Sequence, residues 1–364
     1  MQKYFKIIED PRHQGYVKHK LSDILTIVMC GVLCGLDELC KIMTFAENKA
    51  DFLKTEFGIK EIPSKSTMSR VLSIIDGNEV SKIIISIMKE KMNNSEEIIA
   101  VDGKSIRSTS RPEQPHSSLQ IITAYLTESG VVLGQEKINE KSNEIPAFQQ
   151  MLSYLNIANK TITADAMHCQ KETCKKIFEK QGNYVFGLKG NQSKLYEDVV
   201  LYFESEDTNK DLETHTTIEK NKGRIEKRIC KKLSDLSWID EKSEWCGLKT
   251  IFSVKRVITD SHSTSEETCY YISSLDTSPE RLLFLVREHW KIESMHWMLD
   301  VVFAEDFCYF ENDNAHITLN IFRKYALLLH KHYLANSNKK ISVRSNTFNC
   351  LLNESLLLQL ISSF

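Results

Sequence analysis

Over the first 94 residues, apolar positions recur at helical spacing. "KLSDILTIVMCGVLCGL" (20–36) predicts a buried helix with Ser22 as its N-cap. "LDELCKIMTFAENKADFLKTEF" (36–57) continues the pattern and stops near Gly58. In "GIKEIPSKSTMSRVLSIID" (58–76), Pro63 and Ser64 break the chain and Ser66 or Thr67 can cap. Met68, Val71, Leu72 and Ile75 then form one apolar face, with Lys65 and Arg70 on the polar side. A turn followed by such a helix suits a helix-turn-helix, and equally a helical hairpin in a bundle.

From residue 96 the period shortens. "IIAVDGKSIR" (98–107), "SLQIITAYLT" (118–127) and "GVVLGQEKIN" (130–139) read as three strands of an antiparallel meander. A helix follows at 143–157 with Asn143 as N-cap, then a strand ending on Asp165 in "KTITADAMHCQ". "KETCKKIFEKQG" is a helix closed by Gly182, "NYVFGLKG" a strand and "NQSKLYEDVVLYF" a helix, which makes a mixed α/β sheet. Strand patterns return at 223–233, 248–259 and 268–275, as a small β insertion. Two long helical patterns close the chain, at 278–303, opening on an N-cap Ser278 and Pro279, and at 314–334. The divisions expected are a helical region 1–94, a core in two parts (95–204 and 276–335), an insertion 205–275 and a tail 336–364.

Composition adds exclusions. The chain has 364 residues, enough for about two or three domains. A formal net charge of −2 gives no global attraction to polyanions, so nucleic-acid contact must come from local patches. Ten cysteines without a Cys-x-x-Cys pair argue against a zinc module or a secreted disulfide scaffold. A cytoplasmic protein is expected, with no signal peptide and no membrane partner. The most apolar stretch, 24–36, is shorter than the roughly 20 residues a span needs.

The candidate chemistry starts from a carboxylate in an apolar setting. Asp102 follows the run Ile98–Val101 and precedes Gly103. An Asp-Gly turn explains it; so does a site, because Asp165 also ends a strand, and open α/β sheets place sites at strand carboxyl ends. Glu293 supplies a third acid from the first long C-terminal helix. Three acids in one pocket repel each other and need cations, and hard oxygen donors suit two Mg²⁺ or Mn²⁺ ions. Such a pair can activate a water or a 3′-hydroxyl for phosphodiester cleavage.

The series "DPRHQGYVKHKLSDIL", "VDGKSIR", "GQEKINEKSNEIPA", "TADAMHCQK", "YVFGLKGNQ", "GRIEKR", "REHWKIESMHWMLDVVFAED" and "NIFRK" resembles the DDE transposases of insertion sequences. The branch is the ISAs-type, or H-repeat-associated, group, and the resemblance runs nearly end to end. It implies an RNase H-like mixed sheet core with a β-strand insertion, preceded by an all-helical N-terminal domain. It also implies Asp102, Asp165 and Glu293 as catalytic metal ligands. The partners it implies are double-stranded DNA (terminal inverted repeats and target) and a second copy of the chain in the DNA complex. The Tyr, Arg and Lys of the signature around the third acid are replaced by Val286, His289 and Asp300, and Lys222 replaces the histidine of a Gly-His-Gly-Arg run.

Residues 218–232 hold seven Lys/Arg against two Glu, either a DNA-contacting patch (Lys222, Arg224, Lys227, Arg228) or a solvated charged face. Residues 314–353 hold six Lys/Arg and no acid, with the same two readings. Lys104 and Arg107 can position a phosphate or form salt bridges. Lys189, Asn191 and Gln192 can donate to a phosphate or cap a helix. His289 and His296 flank Glu293; packing or phosphate contact outweighs a zinc site, for want of a third ligand. Trp290 and Trp297 are expected as core anchors, with stacking on a base as the other reading. A nuclease without strand transfer and an inactive DNA-binding descendant remain the alternative functions.

Overall fold

The computed structural model describes residues 1–362 apart from 91–96, 111–117, 139–142, 206–211, 222 and 338–339. Helices α1 (Gln2–Phe5), α2 (Leu21–Leu33), α3 (Leu39–Asn48), α4 (Ala50–Phe57), α5 (Lys65–Ile74) and α6 (Gly77–Glu90) come first. Strands β1 (Ile98–Ile106), β2 (Leu119–Leu126) and β3 (Val132–Ile138) follow, then α7 (Glu144–Tyr154), β4 (Thr161–Ala164), α8 (Lys171–Glu179), β5 (Asn183–Leu188) and α9 (Ser193–Glu204). Next are β6 (Glu213–Asn221), β7 (Arg224–Leu233), β8 (Thr250–Thr259) and β9 (Thr264–Ser273). The long α10 (Pro279–Val301) and α11 (Asp313–Asn336) precede α12 (Val343–Leu352) and α13 (Glu354–Ser362).

Among the described residues, nine strands join one mixed sheet in the order β3-β2-β1-β4-β5-β9-β8-β7-β6. The antiparallel triplet is present, and β1, β4 and β5 run parallel. The strands of the insertion, 205–275, join the core sheet. β9 pairs antiparallel with β5 through Tyr270–Ser273, so the insertion extends the core sheet and covers its edge.

Local chemistry explains most element ends. Asn143 accepts from the Ile145 N–H and Ser278 from the Arg281 N–H, as N-caps should. Ser22 does not cap: α2 starts one residue earlier, and Ser22 is buried inside it. Ser64, not Ser66 or Thr67, caps α5 by accepting from the Thr67 N–H. The run 36–57 divides into α3 and α4 at Lys49, and α4 ends on a left-handed Gly58. Helix α8 closes through a left-handed Gln181 rather than Gly182.

The apolar core is continuous from the N-terminal helices to the sheet. It includes Phe5, Ile24 and Val28, then Ile84, then Ile99 and Ile122, and Phe322 and Leu329 of α11. Helix α11 is buried all round from Ala315 to His330, the mark of a central helix. Phe5 stacks on Phe322 at 5.5 Å. At the first residue of α6, a Cβ on Gly77 would meet the Asn314 carbonyl at 2.8 Å and Ile317 at 2.9 Å. Gly77→Ala should therefore lower stability by about 1–3 kcal/mol through overpacking against α11 backbone. A lower urea midpoint at unchanged slope is the expected reading. Among the described residues no helix is long and apolar enough to cross a membrane.

Candidate active site

Strand β1 does not end at Asp102. It continues through Asp102↔Thr123 and Gly103↔Ile122 to Ile106↔Leu119, so the Asp-Gly pair is not a turn. Gly103 sits on the opposite face from Asp102 because side chains alternate. A Cβ there would run into the carboxylate of Glu144, which opens α7 and pairs with His168 at 3.3 Å. The glycine lets α7 approach the strand, and Asp102 is left to face the other way.

Asp165 follows β4 directly and precedes a short 3₁₀ turn, Ala166–His168. Val101 pairs with Ala164 in the parallel ladder, so each aspartate stands one residue beyond a matched pair. Neighbouring strands lie about 4.8 Å apart, so the two aspartates are carried on adjacent backbones of the sheet.

Helix α10 lies over these strand ends. His289 Nε2 is 3.5 Å from Asp165 Oδ1, and its Nδ1 is 3.1 Å from Thr163 Oγ1. His296 Nδ1 is 3.3 Å from Asp102 Oδ2. Glu293 is four residues after His289 and three before His296, so one helix face carries all three. Ile292, Met295 and Leu299 are buried beneath. Trp290 and Trp297 are not core anchors, being 37% and 59% exposed on the stripe that carries Glu293.

The electrostatics tie the acids together. The imidazole of His289 beside it holds Asp165 below the usual carboxylate range, opposed by partial burial, with Lys189 and His168 adding to the pull. Burial pushes Glu293 up; His289 and His296 pull it down, while Asp165 and Asp102 push it further up. A carboxyl that feels both aspartates belongs to the same charge cluster. A cleft of about 560 Å³ opens beside it, lined in part by Asp165, Lys189, Tyr271, His289, Trp290 and Glu293.

The other candidate residues divide. Lys189 is exposed on the rim of the cleft. The Asn191 amide donates to the Ala166 carbonyl at 2.7 Å and the Gln192 amide to the Cys169 carbonyl at 2.9 Å. Both amides brace the turn after Asp165. Lys104 is nearly buried against Asp300, at 2.8 Å, while the Arg107 side chain is 85% exposed. Strand alternation splits the basic run of β7 between two faces. Arg224 and Lys227 are exposed, on opposite faces, whereas Arg228 is buried and held by Glu219 and Glu226. Lys222 lies outside the described residues. Lys65 and Arg70 are exposed on α5, some way along the chain from the acids, and Lys65 lines a groove with Phe307 and Tyr309. In the C-terminal basic run, Arg323 and Lys324 are buried.

Two features escaped the sequence reading. Trp290 lies against the guanidinium groups of Arg228 and Arg256, at 5.7 and 5.2 Å from its ring centroid. Glu226 joins those two arginines, and Glu219 joins Arg228 to Arg287 of α10, so β6, β7 and β8 are clamped to the helix within the two turns before Glu293. The second is a buried charge cluster around Glu305. Alternating Glu and Arg in β7 was the available signal for the first; the second joins residues some two hundred positions apart.

Among the described residues no three His, Cys, Asp or Glu side chains converge tightly enough, as they stand, to hold a metal ion. The donor set nevertheless fits a hard divalent cation: three carboxylates from three elements, with the Asp165 side chain 72% exposed.

Comparison with known proteins decides the family. The model of the transposase DDE domain matches residues 93–329, and the model described as DDE_Tnp_1-associated matches 2–88. This chain belongs to the DDE transposase family. It is 36% identical over 341 residues to the H repeat-associated putative transposase YhhI of Escherichia coli (strain K12), covering 88% of this chain and 89% of that protein. Putative transposase YncI of Escherichia coli O157:H7 is 37% identical over 336 residues, covering 90% and 86%. In fold it is similar to the piggyBac transposase seen in a synaptic complex with hairpin DNA. That match has a TM-score of 0.51 at 10% identity, over 99% of this chain and 77% of that one. The transposase fold and the carboxylate-bearing strands thus meet in one chain.

Proposed function

We propose that this DDE transposase binds the terminal inverted repeats of its own element as double-stranded DNA. It hydrolyses the phosphodiester at each end and joins the freed 3′-hydroxyl to target DNA, acting as a homodimer in the cytoplasm. One observation carries the reading: Asp102 and Asp165 stand in register on neighbouring parallel strands under the α10 face that bears Glu293. The core β1-β2-β3-β4-β5 with α10 is read as RNase H-like, with β6–β9 inserted before the third acid.

Asp102, Asp165 and Glu293 would hold two Mg²⁺ or Mn²⁺ ions, which when bound supply an activated oxygen nucleophile and stabilise the leaving oxygen. His289 and His296 orient the two aspartates. Lys189 and Arg107 offer cations to phosphates on either side of the acids, and the exposed rings of Trp290 and Trp297 offer faces to bases. Asn191 and Gln192 act behind the site, holding the turn after Asp165. Lys65 and Arg70 are assigned to DNA outside the cleavage site.

The test is incubation of the chain with Mg²⁺ and DNA bearing the sequences that bracket its own gene. Joined products support the transposase reading, nicks alone support the nuclease, and intact DNA supports an inactive descendant. On β7, where Arg224 and Lys227 face opposite ways, the alanine variant on the face that meets DNA should lower the slope of log affinity against log salt by about 0.9. Slopes unchanged in both would return that run to a solvated charged face.

A further inference from the structure

Between β1 and the last turns of α10 lies a set of charges that the proposed chemistry leaves unused. Lys104 is two residues after Asp102 and therefore on the same face of β1. Its ammonium lies 2.8 Å from Asp300, 3.7 Å from Glu305 and 3.7 Å from Asp306. Asp300 is two helical turns beyond Glu293. One helix face therefore meets one strand twice, through His296 on Asp102 and through Asp300 on Lys104.

The position of Asp300 is unfavourable on its own. An acid in the last turn of a helix opposes the helix dipole. Burial, Asp306 and Glu305 push its carboxyl up, against the pull of Lys104. The chain then turns through Ala304 at φ 47, a conformation that disfavours a side chain, and delivers Glu305 into the core. Asn320 donates to Glu305 at 2.9 Å and Arg323 lies 3.6 Å from it, so α11 anchors the far end of the cluster. A phosphate approaching Lys104 would have to displace carboxylates already in place.

We propose that Lys104 is a positioning residue: by binding Asp300 it fixes the rotation and axial position of α10 on β1, and so places Glu293 against Asp102 and Asp165. The apolar residues under α10 attract at many registers, whereas a nearly buried ion pair is made only where its two partners meet. A slip of one residue would turn the helix about 100° and shift it about 1.5 Å. Misplacement by about 1 Å is enough to slow a reaction about 100-fold. The inference rests on the proposed cleavage chemistry, and its test separates the two.

Lys104→Met, Lys104→Arg, Asp300→Asn and the double variant Lys104→Met/Asp300→Asn are compared with wild type. Lys104→Met and Asp300→Asn should each slow single-turnover cleavage about 100-fold at unchanged DNA affinity and salt slope. Lys104→Arg should recover most of the rate, and the double variant should be no slower than the worse single. A salt slope lower by about one in Lys104→Met would make it a phosphate contact and overturn the proposal; so would additive losses. Hydrogen exchange of amides 292–301 in the metal-free protein supplies a readout without activity. Exchange should quicken in both single variants and recover in Lys104→Arg, and unchanged exchange in both overturns the inference. If wild type leaves DNA intact, the cleavage reading fails, while exchange still decides whether Lys104 fixes the helix. Should Lys104→Met fail to fold, Asp300→Asn carries the same comparisons.

Discussion

Glu293→Gln should leave a folded protein that binds DNA as tightly as wild type but cuts it several orders of magnitude more slowly. Metal-assisted chemistry supplies most of the barrier reduction in such reactions, and the substitution removes one negative charge from the donor set while keeping its shape. Burial, opposed by His289 and His296 and reinforced by Asp165 and Asp102, leaves Glu293 above the usual glutamate range. Its folded value exceeds its unfolded one, so ionised Glu293 destabilises the metal-free fold at neutral pH. That penalty disappears below the unfolded value, about 4.3. The metal-free Gln variant should therefore be more stable than wild type at pH 7 and equal to it near pH 3.5, by urea unfolding. A gain in stability with a loss of cleavage marks an acid kept for chemistry. Asp300→Asn is the control, with its smaller, roughly 100-fold loss. If the Asn variant is inert while the Gln variant cuts normally, the third acid is misassigned.

The strands that carry the site were legible because their chemistry is local. The β-branched run before Asp102 and the short run before Asp165 marked buried strands; Asp165 follows the end of its strand as expected, while Asp102 lies inside β1. The strand read over 98–107 is β1, Ile98–Ile106, and the rival reading of Asp102-Gly103 as a turn fails. Asp-Gly favours a turn in isolation, and here the ladder with β2 overrides it. The tryptophans of α10 failed as core anchors for a related reason. A helix packed on a sheet buries only one stripe, and Ile292, Met295 and Leu299 fill it. The basic run of β7 could not be read as one patch because alternation sends neighbouring cations to opposite faces. Asp300 stands where the resemblance expects a lysine. In space an ammonium stands at that point all the same, supplied from β1 by Lys104.

Glu305→Gln should destabilise the protein by about 3–5 kcal/mol, the usual consequence of removing one partner from a buried ion pair. Glu305 is fully buried, and Gln keeps its length and its capacity to accept from Asn320. The charge that faces Arg323 and Lys104 is lost, and Arg323 is itself 2% exposed. The loss extends to α11. Lys324 donates to Thr123 and Gln135 at 2.8 and 2.9 Å, and burial lowers its pKa to about 7 with Glu305 as the opposing pull. Without Glu305 that lysine is harder still to keep protonated. Burial raises Glu305, but Arg323, Lys104, the Asn320 hydrogen bond and Lys324 outweigh it and hold the carboxyl below its usual range. A depressed folded value stabilises the protein above the unfolded value, about 4.3, and the stabilisation fades as pH falls through the folded one. Wild type and Glu305→Gln should accordingly differ most near pH 7 and converge as the pH is taken below about 4. Equal urea midpoints at pH 7 would show that the cluster around Glu305 does not hold α10, α11 and β1 together.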